Sequence, residues 1–519
     1  MDKLKKIQDQ VRERVEQEAA GSASGGQDND PITSDIIKSC LDANELGDAI
    51  LLAELSRNQL VFNESTKEWM VYADHHWQID RYNRAAAAVE KVVHKYFQEV
   101  DRIKLEINKL NGKEENKDRV SWLDKLIGKY YKRINRLREN AGINNCLSLA
   151  RKIEKPLSII NDQFDSNPWL IACPNGVLDL RTGEISPGRP DQWISKACRA
   201  EYIGLDNIEN KARLFRKTLL EILSDNEELF EFILRLFGYC ITGLTKEHIF
   251  IVLHGQGRNG KGILMELIAH VMGDLVGPVE AEMLLDQGRS RGSTGPSPDI
   301  MMLKGLRIAF ASETDENRRF SPSRVKWLSG GDTLTGRHPY DKYPSKFPPT
   351  HKLILLTNHK PHVSGDDFAF WERIRLIPFE ISYVDRDPQT PKERPVDKDL
   401  FEKLKAESSE ILSLLVWGCL MYQEHGLTPP QVVKDATAEY RKDEDLIAEF
   451  IEECFELGED LFEGATEIYD RFVEWFEKNI GSKRIPKQKR FGHLMSRKFE
   501  KAKISGKYRY YGLKLLPSE

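Results

Sequence analysis

Apolar and polar positions change period several times along the chain, and each change marks an element. Leu4, Ile7, Val11 and Val15 recur at steps of three or four among charged residues, which predicts a helix over 2–20. The run GSASGGQDND after it has the composition of a flexible linker, so residues 1–30 are expected to form a helix and a tether. Such a narrow stripe suits pairing with another helix, and a frayed charged terminus fits the same residues. EWMVYADHHWQID alternates like a hairpin, and two charged, helically spaced stretches follow at 84–110 and 117–140. Residues 31–150 therefore read as a mixed region. His75 and His76 read as turn or packing residues, since no third metal ligand accompanies them.

In FDSNPWLIACPNGVLDLRTGEISP the texture becomes short strands with Asn175-Gly176 and Thr182-Gly183 at the turns. Amphipathic helices are expected within 210–245, so 151–245 divides into a small packed module and a helical collar. Then Ile249, Phe250, Ile251, Val252 and Leu253 form an unbroken apolar run, the mark of a strand buried on both faces of a parallel sheet. GILMELIAHVMG behind it returns to helical spacing, which places the glycine-rich GQGRNGKG between a strand and a helix. Further buried strands are expected at Leu306–Ala311 and in HKLILLTNHKP. The core spans 246–385, a helical connector 386–435, and a basic C-terminal region 436–519.

Composition narrows the class. A chain of 519 residues, 40% hydrophobic and 31% charged, is a multidomain globular protein rather than a disordered or membrane-embedded one, and no signal segment is recognisable at its start. The expected location is the cytoplasm. Seven scattered cysteines without a C-x-x-C pair indicate reduced core residues, not a zinc site or disulfide framework. A formal net charge of −5 means that any nucleic-acid contact must use local basic surface.

The loop carries the first candidate chemistry. Gly255, Gly257, Asn259, Gly260, Lys261 and Gly262 stand where backbone N–H groups wrap a phosphate at a helix N-terminus, with Lys261 reaching the outer phosphates. Gly262 occupies the position at which a serine or threonine ordinarily gives magnesium a hydroxyl oxygen. The metal is therefore expected to rest on water and a carboxylate. Glu313, at the end of the second strand, is the first choice for polarising the attacking water and organising Mg2+, with Asp315 or Glu316 behind it. Asn358, at the end of the third strand, is placed to orient water against the terminal phosphate. Arg373 and Arg375 precede another apolar strand, where an arginine can serve a neighbouring subunit's phosphate site or form a structural ion pair.

Two regions suit DNA. Thr333–Tyr340 and Phe347–Leu356 are predicted as arms of a hairpin bearing Arg337, His338, Lys342, Tyr343 and Lys346, basic side chains beside an aromatic. At the C-terminus, ATEIYDRFVEWFEKN and KQKRFGHLMSRKFEKAK read as helices and GKYRYYGLKLL as a hairpin, an order similar to a winged helix. Arg490, Arg497, Lys498, Lys507 and Arg509 are its candidate phosphate contacts.

The succession GQGRNGKG, ASETDE, SGGDTLTGRHPY, LLTNHKP and FWERIRLIPF resembles the superfamily 3 helicase core, specifically the phage and plasmid primase-helicase family related to the poxvirus primase-helicase. PNGVLDLRTG resembles the segment that precedes the helicase there, so the likeness spans roughly residues 156–385. The resemblance implies an α/β fold: an AAA+ type P-loop ATPase core, a parallel sheet flanked by helices. It also implies a homo-oligomeric ring, usually hexameric, that hydrolyses ATP with Mg2+ at subunit interfaces. Such rings move single-stranded or forked DNA past central hairpins, generally 3′ to 5′, here in a bacterial host. By position Lys261 matches the phosphate lysine, Glu313 the acidic strand end, Asn358 the sensor, and Arg373 the arginine finger with Arg375 close behind. Glu372 stands where many relatives have the first arginine of a pair. Residues 1–150 contain no D-x-D or D-x-E in a strand, so primer synthesis is expected from a separate primase or polymerase. Two readings remain open: a replicative motor, and a nucleotide-switched initiator or loader with little unwinding.

Overall fold

The computed structural model describes residues 32–160, 163–286, 295–312, 319–339, 344–363, 367–444, 446–479, 485–504 and 506–517. The expected helix and tether at 1–30 lie outside these residues, as do Glu313, Asp315, Glu316, Lys342, Tyr343 and the side chains of Arg490 and Arg497. The chain forms two compact units: Met1–Asp179 with Glu184–Cys198, and Leu180–Gly183 with Arg199–Glu519.

In the first unit, α1 (Ser34–Asp42) and α2 (Asn44–Ser56) lead into β1 (Leu60–Asn63), β2 (Glu68–Ala73) and β3 (His76–Ile79). Helices α3 (Val89–Leu110), α4 (Lys117–Leu137) and α5 (Asn140–Ala150) follow, and β4 (Ser158–Ile159) completes a sheet of order β3-β2-β1-β4. The expected hairpin is β2–β3, turning on Asp74 and His75, both at positive φ. His75 Nδ1 accepts the Gly188 N–H at 3.1 Å, a structural role. α3 and α4 bury the apolar faces that their spacing predicts, meeting at Tyr96 and Tyr130. β5 (Leu170–Cys173), β6 (Gly176–Asp179) and β7 (Glu184–Ser186) form the short-stranded module as an antiparallel meander.

The second unit begins with the collar helices α6 (Arg213–Ile222) and α7 (Glu227–Ile241). Its sheet uses β8 (Phe250–His254), β9 (Val276–Pro278), β10 (Ile308–Ser312), β13 (Lys352–Thr357) and β14 (Ile374–Pro378), with α8 (Lys261–Met272) after β8. All neighbours pair in parallel, in the order β14-β8-β13-β10-β9. Phe250 to Leu253 are fully buried, as a central strand covered on both faces requires. β11 (Leu334–Gly336) and β12 (Ser345–Phe347) form the expected hairpin on shorter arms, because residues 352–357 belong to the main sheet.

β15 (Ser382–Val384) and β16 (Glu393–Pro395) form a small parallel pair. Helices α9 (Ser408–His425) and α10 (Gln431–Asp443) follow, and Tyr440 of α10 joins the core of the main sheet. A separate apolar core begins at Ile447. Around it stand α11 (Leu446–Cys454), β17 (Phe455–Gly464), α12 (Ala465–Asn479), α13 (Gln488–Lys498), β18 (Lys501–Ile504) and β19 (Lys507–Leu515), with sheet order β17-β19-β18. The expected helix through 503 ends at Lys498, since Lys501–Ile504 pair with β19.

Candidate nucleotide site

β8 ends at His254 and α8 begins at Lys261, so six residues make the turn between them. Arg258 at φ +57° and Gly260 at φ +83° take left-handed backbone there. A Cβ at Gly260 would also sit 2.6 Å from Ile222. Gly255 is required by a close approach, since the Phe379 carbonyl oxygen lies 2.1 Å from where its Cβ would stand. Asn259 is buried and donates from Nδ2 to that carbonyl at 3.3 Å. The Tyr383 N–H donates to the Arg258 carbonyl at 2.7 Å. The segment after β14 thus straps the loop and holds its shape.

Lys261 is 6% exposed, and its Nζ donates to the Gly255 carbonyl at 2.5 Å and to Asn358 Oδ1 at 3.1 Å. Both acceptors are neutral. Burial pulls the Lys261 pKa down to about 8, because desolvating an ammonium is costly. His254 is pushed down to about 4 by burial and then by Lys360 and Lys261, so it is neutral at pH 7. Thr357 pairs with His254 across β13 and β8, which places Asn358 beside the start of the loop.

A cavity of about 570 Å³ opens over these groups, within the range of a small-molecule site. Its lining combines the loop residues Gly257 to Gly262 with Ser312 and Asn358, the apolar Ile222, Val396 and Leu400, and the charged Asp385, Asp397 and Lys398. It lies at the C-terminal ends of parallel strands, where open α/β sheets bind ligands. Ser312 closes β10 and brings a hydroxyl to the cavity. Gly262 leaves open space where its Cβ would be, so packing does not exclude a side chain there.

Arg373 and Arg375 are not brought to this cavity. They lie at the opposite end of the sheet, where Ile374 pairs with Phe250 and the Arg373 carbonyl accepts the Phe250 N–H. Arg375 donates from Nη1 to the carbonyls of Glu372 and Ile374, both at 2.8 Å, and burial lowers its pKa. Arg373 is half-buried, with its Nε orphaned. Arg337 and His338 follow β11 and Lys346 lies on β12, so these basic positions share one hairpin. Lys498 ends α13, and Lys507 and Arg509 lie on β19.

Sequence reasoning missed the cavity's other walls. Ile222 stands about 40 residues before the loop and Tyr383 about 120 after it, and only tertiary packing joins them. Ser312 alone is within reach of pattern, since it precedes Glu313 at the exit of a predicted strand.

A family model described as D5 N terminal like matches residues 49–224. "Putative helicase L207/L206" of Acanthamoeba polyphaga mimivirus is 31% identical over 436 residues, covering 80% of this chain and 44% of that protein. The chain is related to the superfamily 3 primase-helicases. "Putative helicase 022R" of Frog virus 3 is 24% identical, covering 63% of this chain and 40% of the relative. "Putative primase C962R" of African swine fever virus is 25% identical, covering 62% and 34%. The chain thus spans less than half the length of these curated relatives. All three come from viruses, and none of the three supports the expected phage or plasmid origin. Among solved structures, the apo form of the NrS-1 C-terminal region aligns over 91% of this chain and 100% of that one, at 10% identity and a TM-score of 0.43. The family match reaches back to residue 49, about 100 residues before the likeness expected from sequence. No helix among the described residues is long and apolar enough to cross a membrane.

Proposed function

We propose that the chain is an ATP-driven DNA helicase acting as a ring of identical subunits, usually six, in the host cytoplasm, with priming supplied by a separate primase or polymerase. The observation that carries this reading is Lys261, a buried ammonium whose acceptors among the described residues are both neutral, facing a nucleotide-sized cavity and joined to Asn358. A triphosphate would supply an anionic partner for it. The parallel sheet with helices, and the names of the viral relatives, support an AAA+ ATPase core.

In this account the loop N–H groups and Lys261 hold the outer phosphates, while Asn358 orients the attacking water and Glu313 takes part of its proton's charge. Mg2+ fits the oxygen donors of this cavity, among them Ser312, Asp385 and Asp397; Ser312 would hold it, with Glu313 as the expected carboxylate, in place of the hydroxyl absent at Gly262. It supplies neutralisation of phosphate charge. Arg373 lies too far along the sheet to serve its own Lys261, so it acts across a subunit boundary. The hairpin with Arg337, His338, Lys342, Tyr343 and Lys346 grips single-stranded DNA. The last six elements follow the order of a winged helix and add Arg490, Arg497, Lys498, Lys507 and Arg509 as phosphate contacts.

Gly262 favours a second reading, a nucleotide-switched initiator or loader that turns over slowly. A fork-unwinding assay beside Lys261→Ala and Glu313→Gln separates the two. The motor reading requires strand displacement by the unsubstituted chain and its loss in both variants. Ring assembly on DNA with ATP but without displacement would establish the switch instead.

A further inference from the structure

The groove between α13 and the β18–β19 hairpin has a volume of about 720 Å³ and an unusual aromatic at its rim. In this hairpin Lys501 faces Tyr510 and Lys503 faces Tyr508, so the four side chains share one face of the sheet. Tyr510 is 1% exposed, and its hydroxyl donates to the Gly492 carbonyl of α13 at 2.9 Å, anchoring that face to the helix. Tyr508, two residues nearer the tip, is 52% exposed. The ammonium groups of Lys501 and Lys503 lie 4.6 and 5.6 Å from its ring centroid. Lys489, Lys501, Lys507 and Arg509 line the groove against two carboxylates, Glu463 and Glu467, which leaves it positive.

We infer that this groove holds an unpaired nucleotide of a single strand, with its base on Tyr508 and the flanking phosphates on Lys501, Lys503 and Lys507. An exposed ring presents a flat face on which a base released from its stack can lie, whereas a duplex offers phosphates and groove edges. Two ammonium groups beside an aromatic suit a strand in which phosphates alternate with bases. The two lysines at this ring and the positive balance of the groove favour a phosphate-bearing strand over a protein surface. The inference rests on the proposal that the C-terminal elements contact DNA, and it changes what they contact: a strand already opened, not a duplex read by α13.

The test uses the full chain without ATP. Anisotropy is measured on labelled oligothymidylate of about 15 nucleotides, within the span of one stacking platform, and on a duplex of equal length. Tyr508→Ala is expected to weaken single-strand binding about ten-fold and duplex binding less than about two-fold, with Tyr508→Trp restoring the first. A 5-iodouracil oligonucleotide is expected to cross-link to Tyr508 on irradiation. Equal losses on strand and duplex would overturn the inference while leaving the DNA-contact reading intact, as would unchanged single-strand binding with no cross-link at Tyr508. If Lys501→Ala, Lys503→Ala, Lys507→Ala and Arg509→Ala together changed binding to neither probe, that reading would fall as well.

Discussion

The central sheet holds a buried lysine at each of its two ends, and their surroundings differ in kind. Lys352, at the start of β13, is 3% exposed and donates to the carbonyls of Thr242, Leu244 and Thr350. Three acceptors meet three N–H bonds, and the ring of Tyr239 lies 5.1 Å from the ammonium. Its pKa is brought down to about 7 by burial and by Arg307, against Cys240 and Cys419, which raise it. Lys261 at the other end has two neutral acceptors and a cavity in front of it. Lys352 is a strut that ties the end of α7 to the sheet, whereas in the proposed function Lys261 is a cation kept ready for an anion. Burial alone therefore does not distinguish the two lysines; what does is that Lys261 has two acceptors among the described residues and borders a cavity.

The contrast predicts opposite mutational signatures. Lys261→Met is expected to reduce ATP affinity by about 100-fold or more, read by calorimetry, through loss of charge-assisted bonds to phosphate. Lys352→Met should leave ATP affinity within about three-fold and instead destabilise the fold by about 2–4 kcal/mol, because three carbonyls lose their donor. Denaturant melts of both variants check this, and a swapped pattern would reverse the assignment.

A smaller effect concerns pH. The folded pKa of Lys261 lies below the ordinary lysine value, so burying its charge costs stability fully below about pH 8, and the cost fades as pH rises toward the unfolded value. Lys261→Met should therefore melt later than the unsubstituted apo chain at pH 7, by about 1–2 kcal/mol, and lose that advantage near pH 10. Bound phosphate raises the lysine pKa again. ATP binding near pH 8.5 is then accompanied by proton uptake, measurable from the dependence of binding heat on buffer ionisation, and absent in Lys261→Met.

The smallest expected effect is at Gly262. A side chain there meets nothing within 4 Å, and serine is a better helix former than glycine by a few tenths of a kcal/mol. Gly262→Ser should fold normally and lower the Mg2+ concentration for half-maximal ATP hydrolysis about two- to five-fold. An unchanged requirement would mean that other oxygens already complete the metal's shell.

Much of the parallel-sheet unit was legible because its signals are local. Ile249–Leu253, the glycines after them and the helical spacing behind fix strand, turn and helix within about 25 residues of sequence. What stayed hidden depends on contacts far apart in the chain. The brace of Asn259 on Phe379, the Ile222 wall and the saturation of Lys352 by collar carbonyls leave no periodicity to read. The C-terminal helix was extended too far because KAK after Lys498 is equally good helix and strand material, and only pairing with β19 decides. The D5 N terminal like region escaped because amphipathic helices such as α3 and α4 carry no motif beyond their own packing.

The central claim is that one subunit's Lys261 and another's Arg373 complete a single site. Mixing Lys261→Ala and Arg373→Ala subunits tests it directly, since each variant alone lacks one half of every boundary. In the mixture some boundaries join the intact loop of one variant to the intact arginine of the other. The account predicts two nearly inactive preparations whose mixture recovers ATP hydrolysis well above either. A mixture no more active than its parts, under conditions in which the two variants co-assemble, would contradict it.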